Sequence, residues 1–241
     1  MKIRIISALC ILTLFSVSCT ELNDVLEDTG LSEQEVVDGL KSALTVGTDT
    51  SVTVLSAVNG YLGDDLVKII LPDEASAIVT NISKVPGGNL LIEKTIEAIN
   101  RSAEDAAPEA KDIFVSAITD ITIEDGFAIL NGENDAATKY LKSNTMSQLA
   151  SAFEPKISTS LNKTLVGNVS AESAYADLIK AYNTASLNGV LFPKITTNSL
   201  TEHTTNKALE GLFQKVSVEE ENIRTKASHR VNDILQKVFG Q

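Results

Sequence analysis

Apolar residues along most of the chain recur three or four positions apart, the spacing that places them on one face of an α-helix. Stretches with this spacing are found from residue 36 to residue 239. Their apolar sets are Val36, Val37, Leu40 and Leu44; Val52, Leu55 and Val58; Ile92, Ile96, Ile99 and Ala103; Ile113, Phe114, Ala117, Ile118 and Ile121; Leu149, Phe153, Ile157, Leu161 and Leu165; Leu178, Ile179 and Tyr182; Leu209, Leu212, Phe213 and Val216; and Val231, Ile234, Leu235, Val238 and Phe239. The pattern predicts an all-α fold, formed by a single irregular multi-helix domain over residues 32–241.

Polar residues predict how two of these helices begin. Ser32 with Glu35, and Ser217 with Glu220, have the Ser-x-x-Glu spacing of a capping box, in which each side chain bonds the backbone of the other residue. Glu220 also precedes Arg224 by four residues, which predicts an ion pair along one helix face.

Glycine, proline and small polar residues predict the turns. The second helix is expected to end near Gly60, and the Asn131-Gly132 pair predicts the end of another helix. Residues 188–206 are rich in Thr and Asn and are predicted to form a long loop, with a short extended piece at residues 190–192. A domain boundary at Pro86-Gly87-Gly88 is the alternative to a single domain.

The amino terminus has the pattern of a cleaved signal peptide. Lys2 and Arg4 precede an apolar run over residues 5–17. This run is shorter than the roughly 20 residues that a permanent membrane-spanning helix needs. Residues 1–18 are therefore predicted to be a signal peptide.

The end of that signal peptide predicts a lipid anchor. The sequence Phe-Ser-Val-Ser-Cys that ends at Cys19 resembles the bacterial lipobox, in which the Cys sulfur receives a diacylglyceryl group. Lipidation at Cys19, a tether over residues 19–31 and a membrane partner held through the lipid follow from this resemblance. Thr20 occupies the position where Asp retains some lipoproteins at the inner membrane, so we expect an outer-membrane protein facing the periplasm. An ordinary secretory signal that contains Cys19 is the alternative.

Charge narrows the choice of partners. Without Lys2 and Arg4, the chain keeps 18 basic residues against 32 acidic ones, a formal net charge of −14. Such a surface is repelled by phosphate backbones and anionic headgroups, so we expect no nucleic-acid partner and no membrane binding through basic residues.

Few residues suited to catalysis or metal binding occur. Cys10 and Cys19 are the only cysteines, so the domain after residue 19 has no thiol for a disulfide, a nucleophile or a metal. His203 and His229 are far apart in the sequence, and a zinc site needs three or four ligands. We therefore predict no metal and no cofactor.

One polar stretch offers a candidate pocket. Asn131, Asp135, Thr138 and Tyr140 surround the predicted turn between two helices. These side chains could line a small site, or they could cap the two helix ends, which is the interpretation we favour.

The chain resembles domain-of-unknown-function family 4197, a family of bacterial proteins. The resemblance covers residues 31–240 and implies a secreted or lipid-anchored helical domain, without an activity or a catalytic residue. The matching pieces are Leu31-Ser32-Glu33, Gly39-Leu40-Lys41, Ala43-Leu44, Val46-Gly47-Thr48, Ala107-Pro108-Glu109-Ala110-Lys111, Ile113-Phe114, Ile129-Leu130-Asn131-Gly132, Asp135-Ala136-Ala137-Thr138, Ala152-Phe153 with Pro155, Lys207-Ala208-Leu209-Glu210-Gly211-Leu212-Phe213, Glu219-Glu220-Glu221-Asn222-Ile223-Arg224, and Leu235 with Val238-Phe239-Gly240.

Together these observations predict a lipid-anchored cell-envelope protein that acts as a non-catalytic binding or interaction module. Its expected ligand is an envelope protein or a small apolar molecule held between helices. The alternatives are an envelope hydrolase that uses carboxylate, Thr and Tyr side chains around residues 131–140, and a purely structural envelope protein.

Overall fold

A computed structural model describes residues 31–76, 79–80, 88–166, 169–185, 187–191, 193–196, 199–230 and 236–237. Over these residues the predicted all-α fold is confirmed. The described α-helices are α1 (Glu33–Ser56), α2 (Gly88–Ala106), α3 (Ala110–Thr119), α4 (Ile123–Leu130), α5 (Ala136–Leu161), α6 (Ala171–Ala185) and α7 (Leu200–Thr225). Short 3-10 helices lie at Asp73–Ala75, Ala107–Glu109 and Ala227–His229, and the strands β1 (Thr164–Val166) and β2 (Val169–Ser170) pair antiparallel.

The core lies where the two longest helices, α5 and α7, pack against each other and against α1 and α2. One cluster of buried apolar side chains extends from Val37 to Val216 and includes residues from both sides of Pro86. Phe114 and Phe213 meet at its centre edge to face, with ring centroids 5.9 Å apart. Such aromatic pairs add about 1 kcal/mol beyond the area they bury.

Local capping explains why α1 and α4 begin where they do. The predicted box at Ser32 is confirmed: the Glu35 N–H donates to Ser32 Oγ at 3.3 Å, and the Ser32 N–H donates to the Glu35 carboxylate at 2.8 Å. Thr122 and Asp125 form the same reciprocal pair at the start of α4. These bonds satisfy N–H groups that a helix start leaves without partners.

The prediction of two helices over residues 36–58 is wrong, because α1 is one helix from Glu33 to Ser56. Two polar side chains in its middle are buried: the Thr48 hydroxyl donates to the carbonyl of Leu44 at 2.8 Å, and the Ser51 hydroxyl to that of Gly47 at 2.7 Å. Polar side chains satisfied in this way can be buried without ending the helix. Val58 lies beyond the helix and is 79% exposed.

The predicted loop over residues 188–206 is wrong in its second half, because α7 begins at Leu200. The first turns of α7 bury Thr201, Thr204 and Thr205. Threonine-rich stretches of this kind are typical of loops. The expected helix start at Ser217 is also wrong, since that residue lies inside α7. A capping-box spacing therefore occurs here without a helix end.

Two predictions at the ends of the chain cannot be placed in this fold. The signal peptide, Cys19 and the tether up to residue 30 lie outside the described residues, as does most of the predicted last helix over residues 231–239. Leu165, expected on a helix, belongs to β1. Of the helices described, none has both the length and the apolar character needed to cross a bilayer.

Candidate functional site

The start of α5 is capped by a side chain from another helix. Asp135, at the N-cap position, makes no side-chain capping bond. Glu220, inside α7, takes this role: the Ala137 N–H donates to its Oε1 at 3.0 Å and the Thr138 N–H to its Oε2 at 2.8 Å. The Thr138 hydroxyl donates to the same Oε2 at 2.7 Å. The carboxylate thus lies at the positive end of the α5 dipole.

Arg224 completes this arrangement one turn along α7. Its Nε and Nη2 donate to Glu220 Oε1 at 3.1 and 2.9 Å, which confirms the predicted ion pair. Nη2 also donates to the carbonyl of Ile129 at 3.0 Å, near the end of α4. The side chains of Glu220 and Arg224 are only 5% and 12% exposed. We call Thr138, Glu220 and Arg224 the hub, because together they join α4, α5 and α7.

The four residues of the predicted pocket differ in exposure and in their partners. Thr138 is buried in the hub, whereas Asn131 is exposed at the end of α4. Asp135 is partly exposed and pairs with Lys139 at 3.0 Å. Thr138 and Asn131 both lie at helix ends, but the side chain that caps α5 is that of Glu220.

Tyr140 is associated with a different set of neighbours. Its pKa is raised above the usual value, first by partial burial and then by the carboxylates of Asp125 and Asp120.

Glu220 itself was not selected as a site residue from the sequence, although a signal was present. It lies four residues after Val216 and three before Ile223, so it shares the apolar face of α7. An acidic residue on such a face requires buried partners.

Two further glutamates bind backbone N–H groups in the same way. The Tyr61 and Leu62 N–H groups donate to Glu104 Oε1, both at 3.2 Å, and Arg101 donates to Glu104 Oε2 at 2.6 Å. Glu104 is buried and holds the turn after α1 against α2.

Glu172, on α6, repeats the Glu220 arrangement at the start of α7. It accepts hydrogen bonds from the Leu200 N–H at 3.1 Å, the Thr201 N–H at 2.9 Å and the Thr201 hydroxyl at 2.8 Å. The three glutamates therefore link elements that are distant in sequence through hydrogen bonds.

Two apolar crevices lie between the helices, and both are small. One, between α1 and α7, touches the hub and has a volume of ≈ 20 Å³. The other, between α2, α6 and the residues Leu71, Ala75 and Val79, is also ≈ 20 Å³. Each has room for about one water molecule.

A much larger open groove of ≈ 550 Å³ separates residues 66–73 from α7. We call it the α7 groove; on the helix side it is lined by His203, Lys207, Glu210, Gly211 and Gln214. Its rim carries both signs of charge, and the side chains of Leu66 and Ile70 are more than half exposed there.

The wall formed by residues 66–73 is held by side chains from two helices. The Ile69 N–H donates to Asn100 Oδ1 at 2.9 Å, and Asn100 Nδ2 donates back to the Ile69 carbonyl at 2.7 Å. On the other side, His203 Nε2 lies 2.9 Å from the carbonyl oxygen of Ile70. These contacts join the wall of the groove to α2 on one side and to α7 on the other.

The two histidines lie in separate places. His203 contacts the α7 groove, and His229 Nδ1 lies 2.8 Å from Glu219. Among the described residues, no three or more His, Cys, Asp or Glu side chains are grouped to hold a metal ion.

The family model for "Protein of unknown function (DUF4197)" matches residues 30–240. The chain belongs to this family. No curated protein and no solved structure matches it.

In this DUF4197 protein, several pieces that carry the family resemblance meet at the hub. Arg224 and Glu220 come from one piece, the Ile129 carbonyl from a second, and Ala137 and Thr138 from a third. Gly47 and Thr48, from a fourth piece, line the neighbouring crevice. Residues far apart in the sequence thus form one structural junction.

Proposed function

We propose that this DUF4197 protein is a lipid-anchored bacterial cell-envelope protein, outer-membrane and periplasm-facing, whose helical domain is a non-catalytic binding module. The lipobox-like sequence at Cys19 supports the anchor. The α7 groove supports the binding role and is the observation on which the proposal depends.

The hydrogen bonds of three glutamates support a role without catalysis. Glu104, Glu172 and Glu220 each accept two adjacent backbone N–H groups. A general acid or base must instead be within hydrogen-bond reach of a substrate proton. No observation at residues 131–140 favours the hydrolase alternative.

Cavity size favours a protein ligand over a small apolar one. Drug-sized molecules occupy pockets of roughly 300–1,000 Å³, and the two apolar crevices have volumes of ≈ 20 Å³. The α7 groove is large enough, but its rim is charged and open. An extended segment of an envelope protein, with apolar side chains against Leu66 and Ile70, fits that surface.

The anchor is tested on the protein purified from its native membranes. Intact-mass measurement should give a chain that starts at Cys19 and carries acyl chains, and the protein should enter the detergent phase on Triton X-114 separation. The Cys19→Ser variant should remain in the aqueous phase. A mature chain with another first residue would refute the anchor.

Binding in the groove is tested by photo-crosslinking in cells. A benzophenone amino acid replaces Ile70 in the groove, or Leu90 outside it; the two side chains are 56% and 57% exposed. Position 70 should give one defined adduct with an envelope protein, and position 90 should give none. Equal adducts at both positions, or none at position 70, would contradict the proposal.

A further inference from the structure

The loop after α6 exposes an unusual set of apolar side chains. Leu187, Val190 and Leu191 are 58%, 78% and 59% exposed, and all three lie within five residues. Scattered exposed apolar residues are normal on a protein surface, whereas a local concentration marks a contact site. We call residues 187–191 the apolar loop.

The apolar loop has a defined and strained backbone. Leu187, Asn188 and Gly189 follow one another at φ 51°, 54° and 104°. Leucine in this left-handed region is unfavourable by about 1–2 kcal/mol, and strain of this kind is concentrated at functional positions. The surrounding structure must therefore hold the loop in place.

Its base is fixed by an asparagine clamp. Asn183 Nδ2 donates to the Ile195 carbonyl at 2.9 Å, and the Ile195 N–H donates to Asn183 Oδ1 at 2.9 Å. The Asn188 N–H also donates to the Asn183 carbonyl at 2.8 Å. Asn183 on α6 is thus bonded both to Asn188 within the loop and to Ile195, four residues after it.

The charge around this loop differs from that of the rest of the chain. No Asp or Glu occurs between Asp177 and Glu202, the longest acid-free run in the sequence. A recess of ≈ 310 Å³ beside the loop is lined by Lys180 and Lys194, and none of its lining residues is acidic. At this place the strongly acidic chain therefore carries a locally basic and apolar surface.

We propose that the apolar loop inserts into a lipid bilayer, with Lys180 and Lys194 at the level of anionic headgroups. An apolar tip flanked by lysines combines burial in the acyl boundary with attraction to lipid phosphate. The inference rests on the proposed function, since the lipid on Cys19 would keep the domain beside a membrane. It adds a second, non-covalent contact, which would orient the domain on the bilayer.

The test uses a fluorophore attached to a single thiol in the full mature chain. Val190→Cys places an environment-sensitive label in the loop, and Val58→Cys places it elsewhere at matched exposure, 78% against 79%. Each protein is reconstituted in vesicles of phosphatidylethanolamine and phosphatidylglycerol that contain spin-labelled lipid. We expect a blue shift and loss of fluorescence at position 190 and neither at position 58.

A double substitution tests the headgroup contact. Lys180→Gln combined with Lys194→Gln should weaken loop insertion about 25-fold, given about five-fold for each lysine near an anionic surface. Vesicles of phosphatidylcholine alone should remove the difference between this double variant and the parent. If the fluorescence of the label at position 190 in anionic vesicles is the same in the double variant and in the parent, the inference is overturned.

The outcomes separate the loop from the anchor. A chain with no added cysteine reacts with the label only if the Cys19 thiol is free. Such a reaction would refute lipidation at Cys19. The loop is then tested in a Cys19→Ser background. If position 190 stays in water in vesicles but crosslinks to an envelope protein in cells, the loop is a protein contact and the membrane inference is wrong.

Discussion

Glu220 of α7 accepts hydrogen bonds from both the backbone N–H and the hydroxyl of Thr138, at 2.8 and 2.7 Å, although 82 residues separate the two in sequence. The same carboxylate pairs with Arg224, which reaches the carbonyl of Ile129. The start of α5 and the end of α4 thus depend on one buried ion pair.

Glu220→Gln should therefore destabilise the fold strongly. The substitution leaves the Arg224 guanidinium buried without its counter-charge, a change that typically costs about 3–5 kcal/mol. Urea denaturation followed by circular dichroism should show a lower midpoint. Glu221→Gln, at the exposed neighbouring position, is the control and should shift the free energy of unfolding by less than about 0.5 kcal/mol. Equal losses of stability in the two variants would show that Glu220 does not support the fold through its buried ion pair.

The Asp64–Lys215 pair predicts a pH-dependent stability. Hydrogen bonding from Lys215, followed by that from the Leu66 N–H, lowers the pKa of Asp64 below its usual value of 3.8. A group with a lowered pKa in the folded state stabilises the protein at pH values above its pKa in the unfolded state, which is about 3.9 for Asp. This stabilisation is lost as the pH falls through the folded-state pKa.

Asp64→Asn should accordingly lower the free energy of unfolding by about 1 kcal/mol at pH 7. The difference from the parent should begin to narrow below pH ~4, where Asp64 becomes protonated in the unfolded state, and it should close once the pH is below the lowered folded-state pKa. Asp65→Asn, at the exposed adjacent position, should show neither effect. A deficit for Asp64→Asn that stays constant from pH 7 to pH 3 would contradict the assignment.

Alanine substitutions at Gly60 and Gly47 should change the free energy of unfolding in opposite directions. A Cβ at Gly60 would lie 2.6 Å from the carbonyl oxygen of Leu55, whereas a Cβ at Gly47 would meet Ile223 and Glu219 at the ordinary distances of 3.6 and 3.7 Å. Gly60→Ala should destabilise the protein by about 1–3 kcal/mol. Gly47→Ala, inside α1, should stabilise it by about 0.5–1 kcal/mol. Thermal unfolding of both variants checks the sign.

Relief of backbone strain should stabilise the apolar loop. Asn adopts the left-handed conformation more readily than Leu, and Leu187 loses little burial because it is 58% exposed. Leu187→Asn should raise the free energy of unfolding by about 1 kcal/mol. Val190→Asn, at a position without positive φ, should give no gain. A destabilised Leu187→Asn variant would show that the leucine side chain supports the fold.

Local signals were sufficient for much of this fold. The apolar spacing of residues 92–103 predicted α2, and Ser32 with Glu35 marked the start of α1, because both effects act within one or two helical turns. The same local rules failed at residues 200–206, where Thr and Asn composition suggested a loop. Burial of Thr201, Thr204 and Thr205 against neighbouring helices outweighed that weak preference.

The sequence by itself determined the helical class, several helix ends, the strongly acidic charge and the lack of a thiol after Cys19, since each depends on composition or on neighbours within a few residues. Only the tertiary structure decided that Glu220 caps α5 rather than its own helix, that Thr138 is buried against Glu220, and that an open groove forms beside α7. Those features depend on side chains from distant parts of the chain meeting in a core from which water is excluded. Burial of a carboxylate without hydrogen-bond donors costs too much free energy in such a core. Its partners are therefore the N–H groups and side chains that helix packing places beside it.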